Sequence, residues 1–404
     1  TAVHFIDFPY RHVGVAPSLT VARLAGDLVA GGWVDWYVIG TLEGQEDRLA
    51  FAGARAVFAF HAAHERWLTG TRPMSDVALL KPAASADAGA LAEYRGIFRI
   101  LTEAHILFDV IQDLALDRPD TAARLAGYRA VIVPDVRRLS DGAAALLDAF
   151  VQDDGRLLAT GLTGTLDAAG DARPGIALRC LGVAAAGASH PRRPGSYLRI
   201  RPQDKKRLTG FDDLDLLHLD DRFLAATPAA GVETLLRRIP PAMFGPPEKC
   251  YYGDATDEPG LLLQAWSKGR AAYLPWRPGA QYGKFAHPGI ARIVLAALSD
   301  LLGIAPRLAT TAPPNVEVGL HAETGGRWLW LGLVNHPGQL GTAHHAPLAV
   351  RDLEFTLVPD RPVIAARSLR LDRPLPCATA DGRVTVTLPQ LDDFDVLVLD
   401  TAQR

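Results

Sequence analysis

The chain has 404 residues, of which 49% are hydrophobic and 22% are charged. These values are typical of a folded chain of two or three domains and exclude an intrinsically disordered protein. The formal net charge of −3 excludes the basic surface that phosphate binding needs, so nucleic acid is not expected as a partner. The sequence has no run of about 18 apolar residues, so no membrane span is predicted.

The N-terminal part of the chain, residues 2–68, alternates between strand and helix patterns. A β-prone run at 2–8 is followed by a loop, and Ser18 has the position of an N-cap for an amphipathic helix. An aromatic run at 33–40 then precedes a polar loop and a helix over about 48–68. This alternation predicts parallel strands joined by helical crossovers. Two such units cannot close a barrel alone, so we expect them to pack against something further.

A second alternation begins after residue 72. Its short, continuous apolar runs are typical of strands covered on both faces. The predicted strands are 77–80, 106–111, 130–134 and 156–160, and the predicted helices are 88–104, 141–152 (with Ser140 as its N-cap) and 288–302. The pattern indicates a doubly wound, flavodoxin-like α/β domain with helices on both faces of a parallel sheet. Residues 170–260 are interpreted as insertions, and 261–276 as a hairpin.

From about residue 311 the pattern changes to short alternating strands separated by turns such as Asp381-Gly382. This spacing predicts a small C-terminal antiparallel β-sandwich. The chain is therefore expected to be an α/β protein in three parts, 1–72, 73–310 and 311–404.

The order of residues in two segments resembles a known family. The run FIDFPYRHVGVAPSLTVARLAGDLVAGGWVDWYVIGTLEGQEDR (5–48) and the run EYRGIFRILTEAHILFDVI (93–111) resemble barrel glycosidases related to glycoside hydrolase family 42 β-galactosidases and neighbouring hypothetical glycosyl hydrolases. The resemblance implies that 1–72 is the end of a partial β/α barrel, its last two units. It implies that 73–310 is a trimerisation-type domain similar to class I glutamine amidotransferases, and that 311–404 is a β-sandwich.

The same resemblance implies a function. It predicts a glycoside hydrolase acting on O-glycosidic bonds, β-galactosidase-like, with a carbohydrate as substrate and a homo-oligomer, a trimer, as its assembly. This chain is then the C-terminal portion, and residues essential for catalysis are expected upstream of it as well. The alternative that the sequence leaves open is a non-catalytic oligomerisation or carbohydrate-binding module.

Candidate site residues follow the two N-terminal strands. A glycosidase needs two carboxylates flanking the scissile bond, and barrel enzymes carry them at the C-terminal ends of strands. Asp7 stands near that end of the first strand and is the candidate catalytic carboxylate, although the family pattern has a glutamate nucleophile on the seventh strand. The candidate sugar-contacting residues are Tyr10, Arg11, His12, Trp36 and Glu43. The competing interpretations are a salt-bridged loop for Asp7 and Arg11, core packing for Trp36, and a solvated acidic loop for Glu43.

Other motifs predict no further chemistry. An amidotransferase-like domain places its nucleophile on a tight turn after a strand, but the corresponding segment LLATGLTGTLD (157–167) has no cysteine. Thr160 and Thr163 are interpreted as capping residues, so the domain is expected to be catalytically silent. The glycines there lack a GxGxxG order, so no cofactor is expected. His61 and Glu65 have the i, i+4 spacing of a metal pair, but without an evident third ligand no metal is expected.

The first residues, TAVHFIDFPYRH, lack both an initiator methionine and a signal-peptide pattern. We expect a cytoplasmic protein. Secretion is left open because the N-terminus begins abruptly, as a truncated chain would, and a cleaved leader would not be visible.

Overall fold

The computed structural model describes residues 2–402 apart from 86, 193, 244, 247, 249 and 337. The chain forms two compact units. The first unit comprises Thr1–Ser75, Thr102–Leu107 and Arg307–Arg404, and the second comprises Asp76–Leu101 and Phe108–Pro306. The N-terminal β/α segment and the C-terminal β strands therefore share one unit, although they are far apart in sequence.

Short strands and two helices form the N-terminal segment: β1 (Ala2–Val3), α1 (Pro17–Val29), β2 (Trp36–Tyr37), α2 (Phe51–Leu68) and β3 (Thr71–Pro73). The predicted apolar runs are thus strands over only two residues each. The prediction of Ser18 as an N-cap is wrong. Helix α1 begins one residue earlier, at Pro17, whose fixed φ suits the first helical position, and Ser18 Oγ donates to the His344 carbonyl at 2.8 Å.

The middle of the chain carries eleven strands and six helices within its described residues: β4 (Val77–Lys81), α3 (Ala88–Glu103), β5 (Phe108–Gln112), α4 (Thr121–Leu125), β6 (Ala130–Pro134), α5 (Asp141–Gln152), β7 (Arg156–Thr160), β8 (Val183–His190), β9 (Ser196–Arg199), α6 (Pro202–Lys205), β10 (Leu216–Leu219), β11 (Phe223–Pro228), β12 (Glu233–Ile239), β13 (Pro259–Trp266), β14 (Gly269–Leu274), α7 (Pro278–Phe285) and α8 (Pro288–Ala296). A π-helical turn, Ala297–Leu301, extends α8. In the part of the chain that the structure describes, no helix is long and apolar enough to cross a bilayer.

Nine of these strands form one mixed sheet in the order β10-β9-β12-β13-β14-β7-β6-β4-β5. Strands β14, β7, β6, β4 and β5 are parallel to one another, and β13, β12, β9 and β10 extend the sheet from β14 through antiparallel pairs. The four predicted parallel strands are confirmed. The predicted hairpin is confirmed as β13 and β14, which are joined at Ser267 and Lys268. Ser140 caps α5 as predicted, because its Oγ accepts from Ala143 N at 2.9 Å.

Eleven further strands follow in the first unit: β15 (Leu308–Thr310), β16 (Val316–Glu323), β17 (Trp328–Asn335), β18 (Gln339–Leu340), β19 (Ala343–His344), β20 (Val350–Leu357), β21 (Val363–Ser368), β22 (Arg373–Leu375), β23 (Cys377–Ala380), β24 (Arg383–Leu391) and β25 (Phe394–Thr401). Nine of them form an antiparallel four-stranded sheet, β15-β20-β24-β23, and, together with β3, a six-stranded sheet, β22-β21-β25-β17-β16-β3, while β18 and β19 pair with each other. Buried side chains of both sheets, including Phe355, Val386, Leu331 and Leu399, form one apolar core.

The six-stranded sheet has a second apolar face, which packs against helices α1 and α2. Leu24 and Leu28 of α1 and Phe60 of α2 share a buried cluster with Trp330 and Phe394 of the sheet. Two consecutive turns of α1 and one face of α2 therefore obtain their hydrophobic partner from strands some 300 residues later in the chain. Burial of these side chains stabilises the N-terminal segment by roughly 1.5–3 kcal/mol for each large side chain.

Helix α1 approaches this sheet so closely that only glycine fits beneath it. A Cβ atom built on Gly319 would lie 2.3 Å from the Val29 carbonyl oxygen, and one built on Gly332 would lie 2.9 Å from Val29 Cγ2. His321 Nε2 donates to the same Val29 carbonyl at 2.9 Å, and its ring stacks on Trp330 with centroids 3.9 Å apart. The end of α1 is thus fixed to the sheet by backbone contact and by a buried hydrogen bond.

We expect Gly319→Ala to destabilise the protein by about 1–3 kcal/mol, the usual cost of forcing atoms into a packed core. The matched control is Gly26→Ala within α1, where nothing lies within 4 Å of the new Cβ. This control should gain about 0.5–1 kcal/mol from helix propensity. Urea unfolding of the two variants measures the difference. Equal stabilities would show that α1 does not depend on this contact.

Candidate functional site

The candidate site lies where strands β1 and β2 end. The two strands are parallel neighbours, with Ala2 opposite Trp36 and Val3 opposite Tyr37. His4 N continues the ladder by donating to the Tyr37 carbonyl at 3.0 Å. Because both strands run in the same direction, the loops that follow them leave from the same edge. In a β/α barrel, the active-site loops leave from an edge of this kind.

The residues predicted on the first loop are exposed. Asp7 caps a short 3-10 turn, Phe8–Tyr10, and its carboxylate accepts from Phe8 N at 2.8 Å. Tyr10 is 65% exposed, and Arg11 and His12 follow it at the surface. Among the described residues no ion pair involves Arg11 or His12, so their donors remain available to a ligand.

The remaining two predicted site residues, Glu43 and Trp36, differ in their exposure to solvent. Glu43 is an exposed side chain on the loop after β2, and its carbonyl accepts from Arg48 at 2.6 Å. Trp36 is partly buried and meets the rings of His4 and Phe51 edge to face, each with centroids 5.1 Å apart. The structure therefore places Trp36 in aromatic packing beneath the edge.

Sequence reasoning missed His4, which lies at the centre of this packing. Its side chain is fully buried, and neither ring nitrogen has a hydrogen-bond partner. Burial lowers the pKa of His4, against the opposing effect of the Asp47 carboxylate. The imidazole is therefore neutral at pH 7, with one donor and one acceptor. The only signal in the sequence is a lone polar residue within an apolar run.

The loop after β2 closes over this histidine through Asp47 and Gly14. Asp47 accepts from Gly14 N at 2.8 Å and from Leu49 N at 3.1 Å, and these hydrogen bonds lower its pKa. A Cβ atom on Gly14 would lie 2.7 Å from the His4 ring. The two loops are thus joined by a charge-assisted hydrogen bond above a neutral imidazole. Such an arrangement can hold an exposed carboxylate and donors in a fixed position at a strand end.

The second unit carries polar side chains at the carboxyl ends of its parallel strands. Thr160 Oγ1 donates to Glu93 at 2.8 Å, and Thr163 Oγ1 donates to the carbonyls of Val133 and Thr160 at 3.1 and 2.8 Å. Both threonines are fully buried. Their hydroxyl groups donate within the core, and the described segment that follows them, 161–166, forms turns and no helix. The interpretation of Thr160 and Thr163 as capping residues is therefore wrong.

Two buried carboxylates, Glu93 and Asp135, lie at the same edge. Burial raises the pKa of Glu93 to about 8, and its carboxyl group accepts from Ala280 N at 2.8 Å as well as from Thr160. Asp135 has a left-handed backbone, φ 49°, and accepts from Leu162 N at 2.6 Å. Burial also raises the pKa of Asp135, while the neighbouring guanidinium group of Arg137, at 3.2 Å, acts in the opposite direction.

No group of three or more His, Cys, Asp or Glu side chains that could hold a metal ion occurs in the described ranges. Burial raises the pKa of the Cys180 thiol, whereas a reactive cysteine needs a lowered pKa.

Comparison with known proteins identifies solved structures with a similar fold. Residues 79–188 match the family described as the β-galactosidase trimerisation domain. α-L-Fucosidase isoenzyme 2 from Paenibacillus thiaminolyticus is 21% identical with a TM-score of 0.75, over 99% of this chain and 60% of that chain. The β-galactosidase from Bacillus circulans sp. alkalophilus is 17% identical with a TM-score of 0.66, over 95% and 52% of the two chains. No match was found among curated proteins.

A GH42 β-galactosidase, Gan42B from G. stearothermophilus, is also similar, with 16% identity and a TM-score of 0.65 over 96% of this chain and 51% of that chain. The chain spans about half to three-fifths of the length of these proteins. The resemblance inferred from the sequence is confirmed. The chain has the mixed α/β fold of the C-terminal portion of these glycosidases, and residues 79–188 match the model of the β-galactosidase trimerisation domain.

We expect Glu93→Gln to remove a pH dependence of stability. Because the folded pKa is about 8 and the ordinary value is 4.5, the unfolded chain loses this proton first as the pH rises. The contribution of Glu93 to the free energy of unfolding is therefore complete below pH 4.5. It decreases as the pH rises to about 8, by at most about 1.4 kcal/mol per pH unit. Glutamine resembles the protonated acid, because its Oε1 can accept from Ala280 N and its Nε2 can donate to Thr160 Oγ1, whose hydroxyl group then accepts.

Urea unfolding at pH 5, 6.5 and 8 measures this effect. The free energies of unfolding of Glu93→Gln and of the parent protein should converge at pH 5 and separate at pH 8. The control is Glu46→Gln, which alters an exposed carboxylate and should follow the parent at each pH. Parallel curves for Glu93→Gln and the parent would contradict the raised pKa.

Proposed function

We propose that this chain is the C-terminal portion of a glycoside hydrolase that cleaves O-glycosidic bonds. The supporting observation is the match of residues 79–188 to the β-galactosidase trimerisation domain, together with a fold shared with β-galactosidases and an α-L-fucosidase over almost the entire chain. The proposed substrate is a β-galactoside-like carbohydrate. The proposed domains are a partial barrel end (1–72), a trimerisation-type α/β domain (73–310) and a β-sandwich (311–404), in a cytoplasmic protein.

The surface of the N-terminal segment supports the proposal that 1–72 completes a barrel. Large apolar side chains rarely cluster on the free surface of a soluble protein, yet this segment exposes a series of them at and beside the edge of β1 and β2. They are Ile6, Phe8, Tyr10, Val13, Trp33, Tyr37, Leu42 and Leu49, each at least 44% exposed. In the proposed enzyme the remaining β/α units cover part of this surface, and the loops after β1 and β2 border the substrate.

Asp7 is the proposed acidic group at the substrate, and Tyr10, Arg11, His12 and Glu43 are the proposed sugar contacts, with Trp36 beneath them. An exposed guanidinium and an imidazole without ion-pair partners suit hydrogen bonds to sugar hydroxyl groups. The alternative is a non-catalytic oligomerisation or carbohydrate-binding module. One observation favours it: the chain holds several candidate groups for binding a sugar but one candidate catalytic carboxylate, whereas hydrolysis needs two.

The test is hydrolysis of 4-nitrophenyl β-D-galactoside and α-L-fucoside by the product of the complete reading frame. We expect Arg11→Ala and Asp7→Asn to lower kcat/KM at least about tenfold, which corresponds to roughly 1.4 kcal/mol of transition-state stabilisation. The control is Arg55→Ala on the exposed side of α2, with expected kinetics like the parent. Hydrolysis that is unchanged in both variants would assign Asp7 and Arg11 to loop structure. Absence of any glycosidase activity would favour the non-catalytic module.

We further propose a homotrimer assembled through the α/β unit. Within the matched segment, β5 is the edge strand of the nine-stranded sheet, and Phe98, Val110 and Leu114 beside it are 37%, 38% and 57% exposed. Phe98 and Phe108 form an edge-to-face pair with centroids 5.0 Å apart. An apolar patch beside an open strand edge is a surface that a second copy can cover.

Sedimentation equilibrium at micromolar concentration should give about three times the chain mass of 43.4 kDa. We expect Phe98→Glu to shift the protein towards one chain mass, because a carboxylate would be buried without a partner in the interface. The matched control is Phe58→Glu on α2, since Phe58 is similarly exposed, at 39%, but lies outside the α/β unit. A single-chain mass for the parent protein would remove the trimer, and an unaffected trimer in Phe98→Glu would place the interface elsewhere.

A further inference from the structure

Strands β9 and β12 of the second unit bring two arginines together. The strands pair antiparallel, and Arg199 of β9 lies directly opposite Arg237 of β12. Side chains at such positions share one face of the sheet and are close neighbours, so two like charges there are destabilising. Both side chains are partly exposed, so a solute can reach them. The arrangement becomes favourable when an anion lies between the two guanidinium groups.

Neither guanidinium group has a carboxylate partner. Within the described ranges no ion pair involves Arg199 or Arg237, and Arg199 forms no hydrogen bond, so its N–H donors face solvent. Burial lowers the pKa of Arg237, and the like charge of Arg201 adds to this effect. Asp204 and Asp257 act on this pKa in the opposite direction. The positive charge of the pair is therefore only partly compensated.

The nearby carboxylates are engaged with other cations. Asp204 is 2% exposed and accepts from Arg201 at 2.8 Å. The Asp215 carboxylate lies 2.8 Å from Lys205 Nζ. This contact holds the pKa of Asp215 below its ordinary value, with a smaller effect from Arg199. These pairs leave the donors of Arg199 available to an additional anion.

Both guanidinium groups are held in position. Arg237 Nη1 donates to the Leu236 carbonyl at 2.9 Å, and Nη2 donates to Thr234 Oγ1 at 3.0 Å. The remaining N–H donors of this guanidinium group can bind a ligand. Arg199 Cζ lies 5.2 Å from the centroid of the Tyr252 ring. A guanidinium group over an aromatic ring keeps its N–H donors at its edge, where an oxyanion can accept two of them.

The backbone is strained directly before Arg237. Leu236 has a φ of 59°, a left-handed conformation that is an outlier for a bulky residue. Its side chain is fully buried, and its N–H donates to Asp204 Oδ2 at 3.1 Å. Strained residues of this kind persist where the surrounding structure holds them, and they cluster at ligand sites. The strain is a second observation at the same place, independent of charge.

We propose that Arg199 and Arg237 together bind a small molecule that carries a carboxylate or sulfate group, with Tyr252 beside it. The oxygens of these groups accept guanidinium N–H donors in pairs, and their charge offsets the repulsion between the two arginines. The ligand is small, because the nearby carboxylates of Asp215 and Asp257 would repel an extended polyanion. The inference rests on this pair of strands and not on the proposed hydrolase activity.

The test is calorimetric titration of this chain with sodium sulfate and with sodium D-galacturonate, and D-galactose is the uncharged control ligand. We expect saturable binding of at least one anion in the millimolar range, since the guanidinium groups are partly exposed. Arg199→Gln and Arg237→Gln should each weaken binding at least about tenfold, because each removes hydrogen bonds to a charged group. Arg222→Gln removes the same charge from an exposed position of the same unit and should bind like the parent.

Arg199→Lys keeps the charge and serves as the second variant if Arg199→Gln does not fold. It should still weaken binding, because an ammonium group lacks the fork that holds two oxygens. The proposal is overturned if neither anion binds saturably, if both Arg199 variants bind like the parent, or if D-galactose binds as tightly as D-galacturonate. Equal weakening by Arg222→Gln would also overturn it, since net charge alone would then explain the binding. So would a changed mass of Arg199→Gln in sedimentation equilibrium, which would assign the arginine to a contact with another copy of the chain.

Discussion

The close contact between the end of α1 and strands β16 and β17 is the constraint on which the first unit depends. Val29 sits directly over Gly319 and Gly332, and its carbonyl is held by His321 at 2.9 Å. Helix α1 is thereby fixed at its C-terminal end by backbone packing, and this also fixes the position of the chain segments on either side of it. The chain that precedes α1 supplies β1 and the loop of Asp7. The position of the candidate edge therefore depends on where this helix is fixed.

This contact also explains why part of the fold was predictable and part was not. Strands β4, β6 and β7 follow from continuous apolar runs that neighbouring helices cover, so local pattern is sufficient. The partnership between α1 and the C-terminal sheet joins residues 29 and 319, and no local pattern contains it. Gly319 reads as an ordinary residue of the strand VEVGLHA. Its role becomes evident only when Val29 is placed above it.

In the candidate site, too, the features that follow from local sequence were predictable, and those that depend on contacts between distant segments were not. Asp7 and the donors beside it could be identified because they directly follow a predicted strand, and strand ends are where a barrel carries its chemistry. His4 was not identified, since its contact with the loop of Asp47 depends on two loops crossing at Gly14. Trp36 was weighed between sugar stacking and core packing, and its edge-to-face contacts with His4 and Phe51 describe packing. Glu93 lies within the predicted helix 88–104, and its burial against Thr160 becomes evident only in the structure.

Both units hold buried polar groups that the unit itself satisfies and others that have no hydrogen-bond partner. In the second unit, Glu93 and Asp135 accept from backbone N–H, hydroxyl or guanidinium groups of the same unit. Yet Arg137 Nε and Arg277 Nε, whose guanidinium groups pair with Asp135, are buried without a partner. In the first unit the imidazole of His4 is likewise buried without a partner. Because an unsatisfied buried polar atom costs free energy in either unit, such atoms do not by themselves separate a ligand-binding unit from a structural one.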